Sequence, residues 1–173
     1  MRSARRWCGF AWLMVIAALL PTRAHALTPS PQFKLTVNGV VRDYRLFRPA
    51  KDTPRPLVIM LHGAMGASAQ IEEYLNLTAV AARENFAVAY PQGVSRTWND
   101  TRLLKDRKAY NASTADDVAF LNELVDQLVK QGVADPKRVF ISGLSNGGFM
   151  AMRMACEAPE RFAGFAPMIA SAP

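Results

Sequence analysis

The chain holds 173 residues, half of them hydrophobic and a fifth charged, a balance that excludes intrinsic disorder, collagen-like repeats and a disulfide-dense mini-protein. Its 21 Lys+Arg against 14 Asp+Glu give a formal charge of +7. Arg2, Arg5, Arg6 and Arg23 lie ahead of residue 27, and the remainder carries 17 basic against 14 acidic residues with no basic stripe, so a nucleic-acid partner is not expected.

The first segment reads as an export signal. Its arginines precede an apolar run from Trp7 to Leu20, and Ala24-His25-Ala26 follows as an A-x-A cleavage sequence. The run is shorter than the roughly 20 residues an α-helix needs to cross a bilayer. Residues 1–26 are therefore expected to be a signal peptide removed after Ala26, with no stable membrane anchor left behind. Residues 27–173 are expected to form one domain working in the periplasm or outside the cell. Cys156, the cysteine left after cleavage, is expected on a buried helix face as a small apolar residue.

Residues 33–38 and 40–47 are rich in β-branched and aromatic side chains, and Asn38-Gly39 between them is a strong two-residue hairpin signal. Prolines 49, 54 and 56 mark a loop. Leu57 to Leu61 is a continuous apolar run, as expected of a strand buried on both faces of a parallel sheet. Ile71, Leu75 and Val80 predict one helix over 69–84, and Phe86 to Tyr90 predicts a short strand closed by Pro91.

Residues 92–114 form a long polar segment without a period, and loops of that length are often functional. Thr114-Ala115-Asp116-Asp117 then supplies a cap and acidic first-turn residues for a helix striped by Val118, Leu121, Leu124, Val125, Leu128 and Val129 and ending near Gly132. A strand over 138–142, a helix over 147–157 and a last strand over 164–170 complete the chain. A hairpin followed by alternating strands and helices predicts an α/β domain with a largely parallel sheet, whose chemistry lies at the carboxyl ends of the strands.

Gly143-Leu144-Ser145-Asn146-Gly147 fits G-x-S-x-G and sits between that strand and helix, as a nucleophile elbow requires. The sharp bend would present the Ser145 hydroxyl at a helix N-terminus, where backbone N–H groups favour developing negative charge. A second motif, His62-Gly63-Ala64-Met65-Gly66, follows the buried strand. It suits the early loop that gives one oxyanion amide, from Ala64 or alternatively Met65, the other being the amide of Asn146. His62 is expected to brace this loop rather than act as the general base.

With these motifs, Tyr90-Pro91-Gln92-Gly93, Thr97-Trp98-Asn99 and Asp116-Asp117-Val118-Ala119-Phe120-Leu121 recur in an order that resembles the secreted polyhydroxybutyrate depolymerases and the related feruloyl and acetylxylan esterases. The resemblance covers most of residues 33–171. It implies an α/β-hydrolase fold, with helices on both faces of the sheet. It also implies hydrolysis of a carboxylic ester, polymeric or small, through an acyl-serine without metal or organic cofactor. Trp98 would lie near the acyl or polymer groove, or alternatively pack on the body of the domain. Asp116 and Asp117 would cap and orient their helix.

A serine needs a histidine to take its proton and a carboxylate to orient that histidine, in the chain order serine, acid, histidine. After Ser145 the sequence has Glu157 and Glu160 but no Asp and no His. The chain therefore departs from the family at two of three triad positions. It reads as a domain truncated at its C-terminus, with little turnover expected of the 173 residues alone. A catalytically dead binding module and an exported serine peptidase of the same fold remain the alternatives.

Overall fold

The computed structural model describes residues 28–50, 53–101 and 113–170. Residues 1–26, the expected signal peptide, and most of the long polar loop lie outside them. One mixed sheet organises the rest: β1 (Gln32–Val37), β2 (Val40–Phe47), β3 (Arg55–Leu61), β4 (Ala87–Pro91), β5 (Ala134–Leu144) and β6 (Gly164–Met168). Their spatial order is β1-β2-β4-β3-β5-β6. The pairs β1–β2 and β2–β4 are antiparallel, whereas β3–β4, β3–β5 and β5–β6 are parallel.

The hairpin is closed by Val37 opposite Val40, with Asn38 and Gly39 both at positive φ (49° and 77°) as a primed turn demands. On β3 and β4 successive side chains enter different cores. Leu57, Ile59, Leu61, Ala87 and Ala89 join α3 (Asp117–Lys130) and α4 (Asn146–Glu157) on one face. Met60, Val88 and Tyr90 meet α1 (Ser68–Leu75) and α2 (Leu77–Glu84) on the other. Fully buried Phe120, Leu121, Leu124 and Leu128 of α3 each contribute about 1.5–3 kcal/mol from apolar burial alone.

The helix expected over 69–84 is two helices. Asn76 breaks it in the left-handed conformation (φ 48°, ψ 30°), its N–H donating to the Glu72 carbonyl. Asparagine is one of the few residues that adopts this state at small cost, so no glycine or proline marks the break. Asp116 is the cap of α3, its side chain accepting from the Ala119 amide. Cys156 is exposed, a correction to its expected burial. The buried stripe of α4 runs through Gly147, Met150, Ala151 and Met154, and Cys156 falls outside that spacing.

Candidate active site

Leu61 pairs with Gly143, so the loop after β3 and the bend after β5 leave the sheet side by side. Ser145 occupies the bend with φ 53° and ψ −115°, a conformation that costs a side-chain-bearing residue about 1–3 kcal/mol. Two hydrogen bonds hold it there: its N–H donates to the Met168 carbonyl (2.8 Å), and its own carbonyl accepts from Phe149 N–H (3.0 Å). The residue is exposed, and α4 begins immediately after it.

Close approach of backbone to backbone explains the glycines. A Cβ on Gly143 would lie 2.3 Å from the Gly147 carbonyl oxygen. A Cβ on Gly147 would lie 2.5 Å from that of His62 and 2.7 Å from that of Leu61. The two motifs therefore interlock, with no side chain between them. On the neighbouring loop, the Cβ position of Gly63 is 3.7 Å from Ser145 Cβ. Met65 N–H donates to the Arg96 carbonyl (2.8 Å), which removes it as a free donor. Among the described residues neither Ala64 N–H nor Asn146 N–H has an acceptor.

His62 braces this loop. Its ring is 1% exposed and both nitrogens are engaged. Gly93 N–H donates to Nε2 (3.0 Å), as does the Gln92 side-chain amide (3.1 Å), and Nδ1 lies 2.8 Å from the Gly63 carbonyl. A backbone N–H can only donate, so Nε2 accepts and the proton sits on Nδ1. Burial holds His62 below its ordinary titration range; the Gly63 bond opposes that and the Arg96 cation adds to it. With neither nitrogen free, this imidazole is unsuited to taking a proton from Ser145.

Trp98 is packed beneath the 62–66 loop. It is 2% exposed, its indole N–H donates to the His62 carbonyl (2.8 Å), and its ring stacks obliquely on the imidazole. This burial supports the packing alternative for Trp98. The Asn146 side chain clamps the Trp98 backbone at both its N–H (2.8 Å) and its C=O (3.0 Å) and also reaches Asp100 (2.7 Å).

Asp117 does more than orient its helix. Wholly buried, it accepts from the Asn99 amide (2.7 Å) and pairs with Arg42 (2.6 Å), whose guanidinium lies 4.0 Å over the Phe120 ring. Burial pushes its carboxyl upward, against the Asn99 bond and the Arg42 charge. No local signal could have revealed these pairings, which join residues 48 and 75 positions apart. A cleft of about 520 Å³ opens beside the 62–66 loop, walled by Gly63, Ala64, Ile71, Tyr74 and Leu144.

A largely parallel sheet with helices on both faces and a strained serine at the strand-to-helix bend defines an α/β-hydrolase. A solved thermostable esterase has the same fold, with TM-score 0.61 and 26% identity over 83% of this chain and 41% of that one.

The chain belongs to the esterase PHB depolymerase family, whose model matches residues 43–169. NocK of Nocardia uniformis subsp. tsuyamanensis, provisionally named an esterase, is 36% identical over 81% of this chain and 41% of its own length. Poly(3-hydroxyalkanoate) depolymerase C of Paucimonas lemoignei is 30% identical over 89% of this chain and 37% of its own. The chain thus spans about two-fifths of the length of these relatives.

Proposed function

We propose that this chain carries the nucleophile and oxyanion hole of a serine esterase of exported type. In this reading Ser145 Oγ attacks the ester carbonyl, and the carbonyl oxygen takes the amides of Ala64 and Asn146. The bond to the alcohol oxygen then breaks to leave an acyl-serine. The observation that carries the reading is the exposed serine at φ 53° beside two amides without acceptors. Each such donor is worth about 3 kcal/mol in a transition state. The apolar cleft past Ala64 suits a short hydroxyalkanoyl or aromatic acyl ester, small or at the end of a polymer.

The proton of Ser145 has no histidine acceptor among the described residues, because His62 is committed on both ring nitrogens. The acylation test therefore supplies imidazole as an external base. Incubation with 4-nitrophenyl butyrate and imidazole should attach one butyryl group to Ser145, read by mass spectrometry of the digested protein, and S145A should remain unmodified. Equal modification of S145A, or none of the wild type, overturns the reading. An unmodified protein that still binds the ester would support the binding-module alternative.

A further inference from the structure

We infer that Trp98 is a positioning residue that sets the spacing between the two oxyanion amides, an inference that rests on the esterase reading above. Each donor belongs to a separate loop, Ala64 to the turn after β3 and Asn146 to the start of α4. One residue is hydrogen-bonded to both loops. The indole N–H of Trp98 holds the His62 carbonyl, two residues before Ala64. Its backbone N–H and C=O hold the side chain of Asn146, the residue that offers the second amide.

The crosspiece is anchored from its far side as well. Asn99 N–H is held by buried Asp117 (2.7 Å), and its carbonyl accepts from Arg153 (2.6 Å). Trp98 itself is 2% exposed and so cannot swing away without opening the core. Donors to an oxyanion act at about 2.7–3.1 Å, and their contribution falls off steeply with misalignment. A bar that fixes the separation of the two loops therefore acts on the transition state while touching no substrate.

The test compares acylation of Ser145 by 4-nitrophenyl butyrate and by its thionoester, which carries C=S in place of C=O, in imidazole buffer. In both, the Oγ–carbon bond forms, the carbon–aryloxide bond breaks, imidazole takes the hydroxyl proton and nitrophenolate leaves. Sulfur is a poor acceptor of amide hydrogen bonds, so the thionoester reports reactivity with the oxyanion contribution largely removed.

W98F keeps the ring but loses the indole donor, and is expected to slow ester acylation about tenfold or more. Thionoester acylation should slow far less, so the ester-to-thionoester ratio falls. N146A, which keeps the backbone amide but releases the Trp98 backbone, should lower the ratio in the same way and carries the comparison if W98F does not fold. A purely structural role would reduce the number of reactive molecules, slow both substrates equally and leave the ratio unchanged. That result overturns the inference. Failure of the wild type to acylate with either substrate would instead overturn the esterase reading beneath it.

Discussion

Gly147→Ala tests the interlocking of the two motifs most directly. The added methyl would lie 2.5 Å from the His62 oxygen, 2.7 Å from the Leu61 oxygen and 2.8 Å from Leu61 Cβ, whereas ordinary contact begins near 3.4 Å. Relief needs a movement of roughly 0.5–1 Å, and two of the three obstacles are main-chain atoms at the end of a central strand. Overpacking of this kind costs about 1–3 kcal/mol, and backbone obstacles place it near the top of that range. Alanine returns about 1 kcal/mol in helix propensity, because position 147 is helical. The net loss is about 2 kcal/mol, or roughly 4–8 °C in midpoint for a chain of this size.

The control is Gly132→Ala. Gly132 has φ +68° with nothing within 4 Å of its Cβ position, so alanine there meets conformational strain but no collision. The cost is about 1 kcal/mol, partly offset by the reduced entropy of the unfolded chain. Urea unfolding should rank the wild type above Gly132→Ala and Gly132→Ala above Gly147→Ala. Acylation of Ser145 should survive in the former and fall about tenfold in the latter, whose repair displaces the loop bearing Ala64. If Gly147→Ala matched Gly132→Ala in stability, or kept full reactivity, the interlock would not position the site.

Stability should also fall as pH drops below 6.5. Unfolded His62 takes a proton near 6.5 while burial keeps the folded ring neutral to lower pH, so the unfolded state binds more protons there. Urea unfolding at pH 7.5, 6.5 and 5.5 should reveal a loss of stability, at most about 1.4 kcal/mol per pH unit, that is absent in His62→Gln. Asp117→Asn retains an oxygen for the Asn99 amide but leaves the 4%-exposed Arg42 without its anion, at a cost of about 3–5 kcal/mol. Combining it with Arg42→Met should recover part of that loss, and additive effects in the double-mutant cycle would argue against a coupled pair. Ser145→Gly should be more stable than Ser145→Ala by about 1 kcal/mol, since glycine tolerates φ 53° and alanine does not. Neither should acylate, and equal stability of the two would argue against strain at the bend.

The features legible in the sequence are those governed by short-range rules. Asn38-Gly39 announced its hairpin because both positions need positive φ, and Leu57 to Leu61 announced a central strand because it is apolar on both faces. The serine bend was legible because glycine appears wherever backbones nearly touch. Asn76 was not, since asparagine enters the left-handed region without any other local mark. Trp98 was ambiguous for a related reason: a loop aromatic has no periodicity to tell a groove from a core. The Arg42–Asp117 pair and the Asn146 clamp join distant parts of the chain and become visible only when the strands are laid side by side.

In the esterase reading proposed above, the work of ester cleavage falls into two parts. Charge stabilisation would fall to the amides of Ala64 and Asn146, whose loops are held by interlocked glycines, buried His62 and Trp98. Proton transfer is not assigned to any described residue, because committing His62 to Gly63 and Gly93 is what fixes the loop carrying Ala64. One imidazole cannot hold that loop and also exchange a proton with Ser145. An aryl ester with a stable leaving group draws mainly on the first part. An alkyl ester, whose alkoxide must be protonated as it departs, draws on both. In that reading the described residues equip the site for acylation by activated esters, and protonation of a departing alkoxide is assigned to none of them.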